Sequence, residues 1–209
     1  MTTPALIKPT LDFWFDFAST YSYLSAKRIG PLAAAAGVTV NWRPFLLGPI
    51  FAGQGWNTSP FHVYPAKGRY MIRDIQRIAA ERGITFMLPE PWPATSVKAA
   101  RIALAADEQG NGAAVALAIF EEAFERGKAI SDDAILQQLL INLGHDSARL
   151  LSRSGEPEIK DRLRANTAEA SKISIFGAPA FTASDGELFW GDDRLEQALR
   201  WARKDLNNY

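Results

Sequence analysis

Ser19 follows an aromatic-rich run and opens a segment of helical spacing, which puts its hydroxyl at a helix N-terminus. Unpaired backbone N–H groups and the helix dipole make such a place favourable for an anion. A second segment, FGAPAF at 176–181, sets Pro179 directly ahead of a strand. A third, FWGDDRL at 189–195, ends a strand on Gly191 and puts Asp192 and Asp193 at the start of the last helix. The chain contains no cysteine, so disulfides, thiolate metal sites and cysteine nucleophiles are excluded. Any sulfur chemistry must come from a bound small molecule. The two histidines, His62 and His145, lie far apart and lack ligand spacing, so no metal site is expected.

Those segments need a scaffold to bring them together. Residues 11–17, LDFWFDF, alternate acid with apolar side chains and read as a central strand. The helix opened by Ser19 runs to a stop at Gly37, with a bend expected at Gly30–Pro31. Residues 38–43, VTVNWR, make a second strand, and Pro44 ends it ahead of a loop, PFLLGPIFAGQG. Strand, helix, strand is a crossover unit, right-handed by rule.

From about residue 65 to residue 164 Ala, Leu, Ile, Glu and Arg dominate, and the pattern predicts helices over 66–82, 96–108, 112–126, 132–143 and 157–173. Strand character returns at 180–184. A turn at Asp185–Gly186 and a strand at 188–190 complete a hairpin, before a final helix at 192–204. The fold class is therefore α/β, with a helical middle between two β-rich ends. The expected division is residues 1–60 and 170–209 as a sheet domain, with 61–169 as an inserted helical domain.

Composition sets the partner class. Among 209 residues 47% are hydrophobic and 22% charged, which permits a sizeable core. Lys plus Arg (23) equals Asp plus Glu (23), so no overall positive field gathers nucleic acid or anionic membrane. The first residues carry no apolar run behind a positive end, and no window is long enough for a membrane helix. A cytoplasmic protein acting on a small molecule is expected.

The three motifs, in this order and at these separations, resemble the 2-hydroxychromene-2-carboxylate isomerases and the kappa-class glutathione transferases of the DsbA-like thioredoxin superfamily. WRPFLLG (42–48), NTSPFHVYPAKGRYMIRDIQRIA (57–79) and PWPATSVKAAR (91–101) share in the resemblance, which spans nearly the whole chain. It implies a thioredoxin-like fold interrupted by the helical insert, with a cis peptide bond before Pro179. Ser19-Thr20-Tyr21-Ser22 takes the four positions where thioredoxin-fold oxidoreductases carry Cys-x-x-Cys.

The resemblance also implies glutathione as cofactor and assigns roles. Ser19 is the catalytic residue, its hydroxyl bonding the glutathione sulfur and favouring the thiolate; Ser22 is read as structural. Asn57 and Lys67 meet the tripeptide or an acidic substrate. The backbone of Ala178, beside Pro179, pairs with the cysteinyl part, and Asp193 with Asp192 meets the γ-glutamyl end. Phe45, Phe51, Trp56 and Trp92 are candidates for walling an aromatic substrate. Two positions depart from the family pattern: Thr20 stands where many relatives have proline, and Asp192 where relatives commonly have an uncharged polar residue. A second acid beside the γ-glutamyl carboxylate is unhelpful, so Asp192→Asn is expected to tighten glutathione binding.

Lowering a free thiol from a pKa of about 8.5 to about 6.5 takes roughly 2.7 kcal/mol. A helix terminus supplies only about 0.3–1 kcal/mol, so the Ser19 hydrogen bond, about 1.5–3 kcal/mol to a charged group, is also required. The expected activity is glutathione-dependent isomerisation of 2-hydroxychromene-2-carboxylate or a related unsaturated aromatic 2-oxo acid, by a homodimer. The alternatives are a kappa-type transferase and a non-catalytic binding module of the same fold.

Overall fold

The computed structural model describes residues 8–56, 63–90 and 92–204. Four strands form one sheet in the order β2-β1-β3-β4. β1 (Thr10–Phe15) lies in the middle, parallel to β2 (Thr39–Pro44) and antiparallel to β3 (Ala180–Ala183). β4 (Leu188–Trp190) extends the sheet as the hairpin partner of β3.

The alternation along β1 explains both layers. Leu11, Phe13 and Phe15 share one face and are fully buried. Phe13 stacks on Phe181 at 5.5 Å and meets Trp42 edge-on at 5.0 Å, while Phe15 reaches Phe120 at 5.5 Å. Trp14 points the other way, against Phe45, Ile50, Ala170, Ile175 and Ala180. Its indole N–H donates to Thr182 Oγ at 2.9 Å, so this large buried ring leaves no orphan donor.

α1 (Thr20–Ala36) connects β1 to β2. The helix runs continuously through Pro31 and stops at Gly37, whose φ of 68° few other residues tolerate. Between β2 and β3 come α2 (Leu47–Gly53), α3 (Pro65–Glu81), α4 (Val97–Asp107), α5 (Gly112–Phe124), α6 (Asp133–Asn142), α7 (Ser147–Ser154) and α8 (Pro157–Lys172). A short 3-10 turn, Asp192–Arg194, then leads into α9 (Leu195–Lys204). α4 and α5 bury Ala99, Ile102, Leu104, Val115, Ile119 and Phe120 in the same apolar cluster as Phe13 and Phe15. The helical segment thus buries its apolar faces against the sheet layer.

Two helices were not foreseen. α2 occupies part of the expected loop, with Pro49 in its first turn, where a missing N–H leaves no hydrogen bond unmade. α7 is capped by Asp146, which accepts from the Arg149 N–H at 3.0 Å. Among the described residues no helix is long and apolar enough to cross a membrane.

Candidate active site

The end of β1 and the start of α1 are joined by a turn built around Asp16. Its backbone carbonyl accepts the Ser19 N–H at 2.9 Å. Its carboxylate is 4% exposed and takes the Ala18 N–H at 2.9 Å on one oxygen and the Leu47 N–H at 2.7 Å on the other. The side chain of Ser96 adds a further hydrogen bond. One carboxylate therefore ties the turn, the approach to α2 and the start of α4 together. Burial pushes its pKa up from the ordinary carboxylate range, against the lowering effect of those donors. The sequence reading passed over Asp16; the signal was an acid inside an otherwise apolar strand end.

Ser19 caps α1. Its backbone is extended (φ −91°, ψ 113°), and its hydroxyl oxygen accepts the Ser22 N–H at 3.1 Å. The same hydroxyl donates to the Ala178 carbonyl at 3.0 Å, across 159 residues of sequence. The Ala178–Pro179 peptide is cis. Next to it the Gly191 N–H donates to the Pro179 carbonyl at 3.0 Å. Ser19, Ala178, Pro179 and the start of the 3-10 turn are thus held at one place.

Two glycines make this closeness possible. A Cβ on Gly177 would lie 2.5 Å from the Trp190 Nε1. A Cβ on Gly191, which has φ +110°, would lie 2.6 Å from Asp193 Oδ1. The Asp193 carboxylate thus stands over Gly191, exposed and paired with Arg194 at 2.8 Å.

Asp192 requires a correction. It was expected beside Asp193 at the γ-glutamyl end, yet its side chain is 3% exposed and turns inward. It accepts from Ser25 Oγ at 2.9 Å and meets Arg82 at 2.5 Å and Arg28 at 3.4 Å. A carboxylate enclosed by two guanidinium groups and a hydroxyl adds no uncompensated negative charge to the ligand side, so the reason for expecting Asp192→Asn to tighten binding falls away.

Lys67 projects from the first turn of α3 and is exposed. Asp74 lies seven residues further along the same helix, close to the same flank. Asp74 accepts the Tyr21 hydroxyl at 2.9 Å, which ties α3 to the first turn of α1 at a point about 10 Å along the helix from Lys67. Burial, with the Asp74 carboxylate second, raises the Tyr21 pKa and keeps that hydroxyl a donor. Asn57 lies outside the described residues.

Ser22, at the position of a second redox residue, is fully buried, and its hydroxyl has no partner among the described residues. Of the aromatic candidates, Phe45 belongs to the core under Trp14 and walls nothing. Phe51 and Trp56 are half-buried with rings 5.7 Å apart, and Trp92 is half-buried before a second cis proline, Pro93. An aromatic pair missed in the sequence, Phe176 and Trp190, is exposed beside the cis-Pro179 segment, with rings 4.8 Å apart.

The arrangement can discriminate between a neutral and an anionic acceptor. The Ser19 proton already has a good acceptor in the Ala178 carbonyl. A neutral acceptor gives no reason to move, since such bonds are worth only about 0.5–1.5 kcal/mol net, but an anion offers about 1.5–3 kcal/mol.

Residues 10–200 match the family model described as a DSBA-like thioredoxin domain. The chain is 29% identical over 189 residues to a 2-hydroxychromene-2-carboxylate isomerase of Sphingobium xenophagum, covering 90% of this chain and 94% of that protein. It is 29% identical over 207 residues to a kappa 2 glutathione S-transferase of Caenorhabditis elegans, covering 91% of this chain and 90% of the other. A solved 2-hydroxychromene-2-carboxylate isomerase structure superposes with a TM-score of 0.79 at 25% identity, over 96% of this chain and 99% of that one.

Proposed function

The chain belongs to the DsbA-like thioredoxin family, and on that premise we propose that it is a glutathione-dependent enzyme acting on an unsaturated aromatic 2-oxo acid. The reading favours isomerisation of 2-hydroxychromene-2-carboxylate or a close analogue. The observation that carries it is the contact between the Ser19 hydroxyl and the Ala178 carbonyl before cis-Pro179, in a chain without cysteine. The redox pair of the fold is replaced by hydroxyls, so the thiol has to be a ligand.

The residues present fit that ligand. Ser19 and the α1 N-terminus stabilise an anionic sulfur. When the Ser19 hydroxyl turns to that sulfur, the Ala178 carbonyl is released to accept an amide N–H, as an added strand would supply. Asp193, exposed beside Pro179, suits an ammonium, and Lys67 suits a carboxylate of the tripeptide or the substrate. Bound glutathione would supply a thiolate that adds reversibly to a conjugated system and leaves again, turning a double bond into a rotatable single bond. Ser19 then holds the anion each time it is regenerated, and Lys67 holds the acidic substrate near it. We further read residues 61–169 as a helical insert in the thioredoxin-like domain, the active form as a homodimer and the compartment as the cytoplasm.

The test is a calorimetric titration with glutathione, followed by assays with 2-hydroxychromene-2-carboxylate and with chlorodinitrobenzene. Isomerisation dependent on glutathione supports the reading. Conjugation of chlorodinitrobenzene alone makes the protein a kappa-type transferase, and binding without either reaction makes it a binding module. No binding at all contradicts the proposal.

A further inference from the structure

Asp192 has become the meeting point of three elements. From the 3-10 turn its carboxylate takes the Ser25 hydroxyl and Arg28, both on α1, and Arg82, the residue that ends α3. Arg28 also reaches Glu196 on α9. Desolvation by burial lowers the Arg28 pKa although the Asp192 carboxylate raises it, so the anion is what keeps this guanidinium tolerable where it lies.

α3 depends on such anchors. It buries only Gly68, Met71, Ile75 and Ala79, and its outer face, with Arg69, Tyr70, Arg73 and Arg77, is exposed. Its middle is held to α1 by the Tyr21–Asp74 bond, the segment after it by the Tyr23 hydroxyl on the Thr85 carbonyl at 2.6 Å, and its end by Arg82 on Asp192. Beside that last anchor is a cavity of about 500 Å³ lined by Lys27, Arg28, Arg82, Ile84 and Glu196. Without the Asp192 charge Arg28 keeps Glu196, but Arg82 loses the carboxylate that holds it and faces Arg28 and the cavity, so the end of α3 loses its anchor.

We propose that Asp192 is a positioning residue that fixes the spacing between the two charged ends of the glutathione site. The same turn presents Asp193 on its outer side, while the inward carboxylate of Asp192 holds the helix that carries Lys67. Asp192 touches no ligand; it sets where Lys67 stands relative to Asp193 and Ser19. The identity of the ligand rests on the function proposed above, but the mechanical claim does not.

Hydrogen–deuterium exchange on the whole protein separates the two. Asp192→Asn should speed exchange across Pro65–Glu81 about tenfold or more while β1 and β3 keep their protection, because only the local opening energy changes. Arg82→Gln, a milder change at a half-exposed residue, should reproduce the effect and decides the matter if Asp192→Asn does not fold. In glutathione titrations Lys67→Met should weaken binding several-fold in the natural background and little further in the Asp192→Asn background, since the lysine is already misplaced there. Unchanged α3 protection in Arg82→Gln, or effects of Lys67→Met and Asp192→Asn that simply multiply, would overturn the proposal. If the unaltered protein takes up no glutathione, the ligand assignment fails, and the exchange result alone decides the positioning role.

Discussion

The Ser19 hydroxyl donates to the carbonyl of Ala178, the residue before cis-Pro179, at 3.0 Å, so each is the other's partner until a ligand takes both. A peptide amide can take the carbonyl and an anionic sulfur the hydroxyl. On the function proposed above, that exchange would join two parts of the glutathione site in one step, and it would favour the thiolate because a charged acceptor is worth about 1 kcal/mol more than a neutral one.

Ser22 contrasts with Ser19. Its hydroxyl is buried without a partner among the described residues, a condition that costs about 1–3 kcal/mol. Ser22→Ala should therefore leave stability unchanged or raise it by about 1 kcal/mol, and leave glutathione affinity alone, as denaturant unfolding and calorimetry would show. A loss of affinity would give Ser22 a ligand contact.

Asp16→Asn should destabilise the fold by about 1–3 kcal/mol, because an amide nitrogen would face the Ala18 or Leu47 N–H. The pH dependence has a definite sign. Burial raises the carboxyl pKa in the folded state, so the stability this group contributes is fullest in acid and falls as pH rises through the raised value. The stability gap between the natural protein and Asp16→Asn should narrow as pH rises from below the ordinary carboxylate range to neutral; a gap constant over that whole range would show that the folded carboxyl is not shifted.

Lys67→Met should weaken glutathione binding several-fold and flatten its salt dependence, since a charge is lost and a similar length kept. Tyr21→Phe removes the bond to Asp74 and should weaken binding in the same direction by a smaller factor. Titrations at low and high salt check both, and an unchanged salt slope in Lys67→Met would return that lysine to solvent.

The parts of this site that local rules govern were legible in the sequence. Ser19 at a helix start, Pro179 ahead of a strand and Gly191 before two acids are short-range signals, and the strands and long helices follow from periodicity. α2 was hidden by Gly48 and Pro49, which read as a loop although proline is harmless in a first helical turn. α7 was readable from the Asp146 cap and was missed because it is short. The role of Asp192 was not legible at all: its arginine partners stand 164 and 110 residues away, and only the packing of α1 and α3 brings them to it. Phe45 was misassigned for a related reason, since an aromatic after a strand reads alike whether it walls a cleft or packs under Trp14.

The ionisation of bound glutathione in Ser19→Ala tests the central claim most directly. The variant should fold, losing about 1 kcal/mol with its helix cap, and still bind the tripeptide through Ala178, Asp193 and Lys67. Following thiolate absorbance against pH in both proteins should show the bound thiol titrating at least one unit higher in the variant, the equivalent of about 1.4 kcal/mol of lost preference for the anion. Identical titrations would contradict the account and leave Ser19 as no more than the cap of α1.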